Sequence, residues 1–261
     1  MKKIKKIKEI GYTTSILSWQ IILSAIEMLR NSQSEIDQIN LNLKAIPCTV
    51  LGCISLEAFS NEISSLTNAF VDDVKKIFNI DNLSTKQKSE IGIDLNNCKD
   101  IEQIRNSKME SFYERYKNLL LYIQISRPNF FQELCHLRDI RNAMVHFRQC
   151  NISVIEEDGV IKNYQKPPEV FKHIKSIKVN GWPVIAADVK NNSPWNLRIS
   201  TNAFAFWSIK LILDAITYFL DNLQQGKYRE FIFKYYRKEK YSNLFEEGKL
   251  KVQELEMKIF K

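Results

Sequence analysis

The stretch that decides the fold runs from residue 130 to residue 147 and reads FFQELCHLRDIRNAMVHF. Its apolar residues recur at three- and four-residue spacing, which is the period of an amphipathic α-helix. The helix is predicted to begin at about Pro128, which suits a first helical turn, and to end near Gln149. One stripe should face a core, and it consists of Phe130, Leu134, Leu137, Ile140, Met144 and Phe147.

The opposite side of this predicted helix is polar. Arg138, Asn142 and His146 follow one another at intervals of four residues and therefore share a face. Arg141 lies at the border between that face and the core stripe. Arg141 and His146 thus flank a shallow polar strip from its two edges.

Helical periodicity extends on both sides of this stretch. Apolar spacing predicts helices over 13–30, 44–80, 109–125 and 201–223, whereas 81–98 is polar and predicts a loop or a short helix. Only seven glycines and six prolines occur, which favours long helices over many strands joined by turns. We therefore expect an all-α fold, an up-and-down bundle of four or five helices.

Two segments differ from this pattern. Residues 151–163 predict a β-hairpin around Glu157-Asp-Gly159, and the proline- and tryptophan-rich stretch 166–200 predicts an ordered insertion that covers part of the bundle. Residues 1–223 are then one helical domain with an insertion at about 150–200. Residues 224–261 form a basic, aromatic, helical C-terminal extension.

Composition limits the classes of function. A net charge of +8 permits a polyanionic partner such as RNA. Five cysteines without C-x-x-C spacing suggest neither a disulfide framework nor a zinc ribbon, so we expect a reducing, cytoplasmic location. No membrane span is expected, because Lys210 and Asp214 interrupt the most apolar stretch. No acidic cluster with metal-ligand spacing accompanies the polar strip, which disfavours a two-metal nuclease.

The residues of the polar strip resemble a known motif. In the HEPN superfamily an Arg, a polar residue, a short spacer and a His lie on one helix of a bundle, and Arg141, Asn142 and His146 match that pattern. Residues 56–62, LEAFSNE, resemble an earlier bundle helix of some members. The resemblance covers about 13–149 and 201–223, and it leaves out the insertion and the C-terminal extension.

The resemblance implies a metal-independent endoribonuclease without a cofactor, in which two copies of the motif helix form a composite cleft in a homodimer. Arg141, Asn142 and His146 would be its catalytic residues. A toxin or phage-defence role, with an antitoxin or regulatory partner, is also implied. Some members carry a tyrosine two residues after the His, which a partner nucleotidyltransferase modifies; Arg148 stands there in this chain, so that regulation is not expected.

Further cations are candidate RNA contacts. Arg138 and Arg148 flank the motif, and the segment 227–241 interleaves aromatic residues with Lys234, Arg237 and Lys238. Cations can bind phosphates while aromatic rings stack on bases. The favoured alternative for this segment is a terminal helix that docks its aromatic residues and exposes its charges.

Two other functions remain open at this point. One is a non-catalytic module that binds RNA or a nucleotide, and the other is a helical protein that binds a partner through the insertion. His136 and His173 are interpreted as structural, and adjacent Cys135 and His136 point about 100° apart, which disfavours a nucleophile pair. Glu57, Asn61 and Glu62 have two interpretations. They are ordinary polar residues that face solvent, or they support the motif helix, and the sequence favours neither.

Overall fold

The computed structural model describes residues 17–31, 44–78, 82–96, 101, 111–145, 152–157, 160–165, 167–186, 195–236 and 239–260. These residues form ten helices: α1 (Leu17–Asn31), α2 (Ala45–Ile77), α3 (Thr85–Ile91), α4 (Phe112–Tyr122), α5 (Phe131–Val145), α6 (Phe171–Ile174), α7 (Trp195–Arg198), α8 (Asn202–Asp221), α9 (Lys227–Tyr236) and α10 (Glu239–Ile259). Two antiparallel strand pairs complete the described part, β1 (Ile152–Glu157) with β2 (Val160–Gln165), and β3 (Lys178–Val179) with β4 (Trp182–Pro183). The predicted all-α class is confirmed.

Helix α2 is the centre of the bundle, and it packs against α1, α4, α5, α8 and α9. Small residues allow this crowding: a Cβ added to Gly52 would already touch Ile212 at 3.7 Å. The buried hydroxyls of α2 are all hydrogen-bonded: Ser55 donates to the Ser18 carbonyl at 2.8 Å, and the hydroxyls of Thr49 and Ser208 share a hydrogen bond of 2.9 Å. Satisfied hydroxyls let a 33-residue helix lie in the interior without unpaired polar atoms.

Helix α8 is the most apolar element, as predicted for 201–223. The Thr201 hydroxyl caps its first turn by accepting from the Phe204 amide at 3.0 Å. Its length and composition would allow a membrane crossing, but 78% of its most apolar window is buried inside the fold, as in a core helix of a soluble protein. Phe219 packs edge-on against Phe59 of α2, with ring centroids 5.5 Å apart.

Helix α4 is shorter than predicted, and α5 begins later than predicted. Helix α4 ends at Tyr122 because Gln124 has a left-handed φ of 60°, and the Ile125 amide turns back to the Leu120 carbonyl at 2.8 Å. Pro128 lies in a turn before α5, whose first residue Phe131 donates its amide to the Pro128 carbonyl. Residues 146–150, the predicted end of this helix, lie outside the described residues. Of the predicted core stripe of α5, Leu134, Leu137 and Ile140 are fully buried, Phe130 and Met144 are partly buried against the core, and Phe147 lies outside the described residues.

The C-terminal segment packs on the bundle rather than projecting from it. Tyr228 of α9 is fully buried and packs against Phe70 of α2. Its hydroxyl shares a hydrogen bond of 2.7 Å with the Thr67 hydroxyl. Gly248 of α10 lies over Trp19 of α1, where a Cβ would come within 2.9 Å of the indole ring. These contacts agree with the interpretation of docked aromatic residues.

The insertion also joins the core. The predicted hairpin is confirmed, with Glu157 paired to Val160 across the turn. Farther along the chain, Phe171, Ile174 and Trp195 are buried in the same apolar cluster as the bundle. The Thr201 hydroxyl donates to the Val184 carbonyl at 2.8 Å, which ties the insertion to the start of α8.

Two glycine backbones cross at one end of the bundle. Gly92 follows α3 with φ 76°, and Gly226 precedes α9 with φ 148°. A Cβ on Gly226 would lie 2.8 Å from the Gly92 Cα. Only residues without a side chain can adopt these angles and this approach together.

Candidate functional site

The structure brings three of the predicted site residues together in the last turns of α5: Arg138, Arg141 and Asn142. His146 and Arg148 follow this helix but lie outside the described residues, as do Arg237 and Lys238. Lys234 is exposed on α9, which packs near Phe70 of α2. Cys53 of α2 lies where the charge of Arg141 acts on its thiol. Phe70 is 17 residues beyond Cys53 on the same helix, about 25 Å along its axis. Lys234 is therefore not part of the α5 cluster.

Arg138 is held by acidic and aromatic neighbours. Its Nη2 lies 2.7 Å from Asp139 and its Nη1 lies 3.5 Å from Glu114 of α4. Its guanidinium also lies 4.7 Å from the centre of the Tyr113 ring and donates to the Cys135 sulfur at 3.2 Å. Burial alone would lower the pKa of Arg138, but the hydrogen bond and charge of Asp139 raise it overall. These contacts make Arg138 a clamp between α4 and α5, which weakens its assignment as an RNA contact.

Arg141 has a different environment on the same helix. Its Nη1 donates to the Asn142 side-chain oxygen at 3.1 Å, and its buried Nε finds no hydrogen-bond partner among the described residues. No carboxylate of the described part lies within ion-pair distance of its guanidinium. A guanidinium paired only with a neutral amide keeps its charge available for an anion.

A buried arginine lies on the neighbouring helix α4. Arg115 of α4 is 8% exposed, and it reaches α2 with its Nε 3.6 Å from the Glu57 carboxylate and its Nη1 2.7 Å from the Asn61 oxygen. Burial raises the pKa of the nearby Cys53 thiol to about 12, while the charge of Arg141 lowers it and that of Glu57 raises it. Glu57 and Arg141 therefore both act on the same small region of α2.

Sequence reasoning missed Arg115, although a signal was present. Arg115 lies three residues after Phe112 and four before Leu119, so it occupies the apolar stripe of α4. A charged residue in an apolar register requires a buried counter-charge. Glu57 and Asn61, which the sequence left undecided, supply that charge and a hydrogen bond. Glu62 has a different partner. Its carboxylate accepts hydrogen bonds from the Ser18 amide and hydroxyl at the start of α1.

The remaining polar contacts of α5 fasten it to its neighbours. Glu133 accepts from the Trp207 indole at 2.7 Å, which anchors the helix to α8. His136 stacks on His173 of α6, with ring centroids 4.8 Å apart and planes 3° from parallel. The stack supports the structural interpretation of both histidines. It also joins the insertion to the helix that carries Arg141.

The stacked histidines lead to a prediction about pH. Burial, the nearby His173 and Arg138 lower the pKa of His136 below its usual 6.5, against the opposing charges of Asp139 and Glu133. A histidine whose pKa is lower in the folded state stabilises the fold fully above its unfolded pKa and loses that contribution as the pH falls. We therefore expect the contact between α5 and α6 to weaken below about pH 6.5.

NMR titration of the imidazole resonances checks this expectation, with urea unfolding at pH 7.5 and pH 5 as the second measurement. His136→Gln should unfold with less dependence on pH over this interval than the wild type. A His136 that titrates at or above the ordinary pKa would contradict the prediction.

Other features of the described part do not point to this site. A cavity of about 390 Å³ lies beside α3, lined by residues that include Lys88, Asp94 and Gln124. Gln124 follows the C-terminal end of α4, whereas Glu114 near its N-terminal end reaches Arg138, so the cavity is at the far end of α4. Among the described residues no group of three or more His, Cys, Asp or Glu side chains is placed to hold a metal ion.

No protein-family model, no curated protein and no solved structure matches this chain.

Proposed function

We propose that this protein is a metal-independent endoribonuclease of the HEPN type that acts as a homodimer. The observation that carries the proposal is the state of Arg141. It is a half-buried guanidinium without a carboxylate partner in the described part of the chain, bound to Asn142 and five residues before His146. Buried cations are normally paired, so an unpaired one is a candidate binding site for a phosphate.

The residue types suit cleavage of RNA by its own 2′-hydroxyl. The 2′-oxygen attacks phosphorus, the bond to the 5′-oxygen breaks, and a 2′,3′-cyclic phosphate remains. One neutral imidazole can accept the 2′-proton and one protonated imidazole can donate a proton to the departing 5′-oxygen. A dimer brings two copies of His146 to one cleft and so supplies both roles.

Arg141 would stabilise the negative charge that develops on the phosphate oxygens in the transition state. Asn142 holds one edge of the guanidinium, which orients the remaining donors. DNA lacks the attacking hydroxyl and would not be cut. A role as a toxin or phage-defence effector belongs to the same proposal, because uncontrolled cleavage of cellular RNA stops growth.

The first test compares the purified protein with its His146→Ala variant on total RNA in the presence of EDTA. We expect cleavage by the wild type, 2′,3′-cyclic phosphate ends, no cleavage of DNA, and a rate lower by about 10²- to 10⁴-fold in the variant. Gel analysis and end-group analysis provide the measurements.

RNA that the wild type binds but leaves intact would instead favour a non-catalytic RNA-binding module. Cleavage that EDTA abolishes would contradict the metal-independent mechanism. A monomeric mass at the assay concentration, together with undiminished activity, would contradict the composite site.

A further inference from the structure

The part of the insertion that follows the β1–β2 hairpin has a basic surface. Lys172, Lys175 and Lys178 are exposed and recur at every third position, from α6 to β3. Lys172 lies 3.8 Å from Glu169, but the two side chains are 79% and 86% exposed, so water screens this pair. No carboxylate of the described residues lies within ion-pair distance of Lys175 or Lys178. The positive charge of this segment is therefore available to an anion from outside the chain.

An exposed tryptophan lies on the strand next to the last of these lysines. Trp182 is 48% exposed, whereas the other three tryptophans of the chain are at most 5% exposed. It lies on β4, whose partner strand β3 carries Lys178. In the turn between the two strands, the Asn180 amide donates to the Glu256 carboxylate of α10 at 2.9 Å, which fixes the turn on the bundle. The indole ring is thus presented to solvent on an anchored strand.

The insertion lies at the end of the bundle toward which α5 runs. The insertion joins the start of α8, as described above. Helix α5 is antiparallel to α8, because Phe130 packs against Tyr218 near the end of α8 and Glu133 binds Trp207 near its start. Arg141 is farther along α5 in the same direction. The last turns of α5 and the insertion therefore lie at the same end of the bundle.

A direct contact joins the basic segment to α5. His173 lies between Lys172 and Lys175 in the chain. It stacks on His136 of α5, with ring centroids 4.8 Å apart. His136 precedes Arg141 by five residues, about 7.5 Å along the helix axis. The basic surface thus begins beside the helix that carries the candidate site.

Lysines beside an exposed aromatic ring have the features of a surface for single-stranded nucleic acid, because cations bind phosphates and rings stack on bases. We infer that four residues of the insertion, here called the insertion surface, bind single-stranded RNA and lead it to α5: Lys172, Lys175, Lys178 and Trp182. The inference rests on the proposed function, since it names the surface that holds the substrate of that nuclease. The exposed ring favours RNA over an acidic protein, because every base offers a flat face for stacking.

The experiment measures binding apart from cleavage. The full chain is titrated with a single-stranded oligouridine of about 12 nucleotides, a length within the usual site size. Its 2′-O-methyl groups replace the attacking hydroxyls, so the proposed reaction cannot cut it. Trp182 is the exposed tryptophan of the four, so stacking of a base should quench its emission. We expect quenching at saturation in the wild type and none in Trp182→Phe.

The dependence of affinity on salt counts the lysine contacts. Each lysine–phosphate contact to a single strand contributes about 0.7 to the slope of log affinity against log salt concentration. The triple variant Lys172→Gln, Lys175→Gln and Lys178→Gln should therefore reduce the magnitude of that slope by about 2. Fluorescence anisotropy of the end-labelled oligonucleotide provides the affinities.

Two variants of Trp182 test the contribution of stacking to affinity. Trp182→Ala should weaken binding by about tenfold, because the ring that stacks on a base is lost. Trp182→Phe keeps an aromatic ring and should bind within about threefold of the wild type. The melting temperature of each variant shows whether it is folded.

A matched control removes the same charge from the opposite end of the bundle. The start of α8 lies beside the start of α2, where Thr49 bonds Ser208, whereas α3 contacts α9 near the end of α2. Lys75 of α2, and Lys86 and Lys88 of α3, are exposed at that far end. Their replacement by glutamine should leave the affinity and the salt slope nearly unchanged.

An oligonucleotide that does not bind, or that binds without quenching the wild type, overturns the inference. A lysine variant of the insertion with the same salt slope as the control variant overturns it too. Displacement of the probe by polyglutamate as readily as by unlabelled RNA would assign the surface to an acidic protein instead. Quenching without any cleavage of RNA would refute the proposed function and leave the insertion surface intact. Cleavage without quenching would do the reverse.

Discussion

Exchanging Arg141 for glutamine is expected to lower the rate of RNA cleavage by about 10²- to 10³-fold, the usual loss when one donor to the transition-state charge is removed. Glutamine keeps polarity and much of the length but carries no charge. The fold should survive, because the Arg141 Nε already lacks a hydrogen-bond partner in the described part of the chain. Steady-state cleavage of a short RNA, with kcat and KM determined separately, provides the measurement.

Arg138→Gln is the matched control on the same helix. It breaks the contacts to Asp139, Glu114 and Tyr113, so we expect a loss of about 1 to 3 kcal/mol in the free energy of unfolding. The cleavage rate of the folded fraction should change far less than in Arg141→Gln. Equal losses of rate in the two variants would refute the division of roles between these arginines.

Adding one methyl group at Gly226 is expected to cost about 3 kcal/mol or more of folding free energy. The alanine Cβ would meet the Gly92 Cα at 2.8 Å and its amide nitrogen at 2.9 Å, and the backbone already has a φ of 148°. Backbone atoms cannot rotate away as a side chain could, so α3 would have to separate from the start of α9. Urea unfolding of Gly226→Ala, followed by circular dichroism, checks this expectation.

Gly181→Ala separates conformational strain from crowding. Gly181 also has a positive φ, 83°, but nothing lies within 4 Å of its added Cβ. It should cost only about 1 to 2 kcal/mol, the ordinary penalty for a left-handed alanine. If the two alanine variants are equally stable, the glycine crossing does not constrain the fold.

The helices could be predicted because their signal is local. Apolar spacing located α1, α2, α4, α5 and α8 to within a few residues, and the turn at 157–159 located the hairpin. The predicted helix ends were less accurate, because apolar spacing does not report on backbone conformation. Helix α4, for example, ends before Gln124, whose backbone is left-handed. The docking of the C-terminal segment depends on partners far along the chain, such as Phe70 for Tyr228. The sequence favoured such docking for 227–241 but could not name the partners.

The candidate site was predictable in part for the same reason. Helical spacing alone placed Arg141 at the border of the core, where the structure has it half-buried. The same spacing could not distinguish Arg138 from Arg141, although one is paired and the other is not. That distinction depends on Asp139 of the same helix and on Glu114 of α4, which is 24 residues from Arg138 along the chain. Helical spacing does not report on the partner from the other helix.

The contact between α1 and α10 constrains the order in which the chain can mature. Lys251 and Glu27, joined at 2.6 Å, are separated by 224 positions, and Val252 and Leu255 lie in the same apolar cluster as Trp19. A ribosome must therefore synthesise the chain at least as far as Leu255, and release that segment from its exit tunnel, before α1 acquires this cover. The nascent chain contains the segments of α2, α4 and α5 long before that point. Part of its apolar surface is then still exposed and accessible to chaperones. This contact therefore forms only well after the residues of the proposed site have been made.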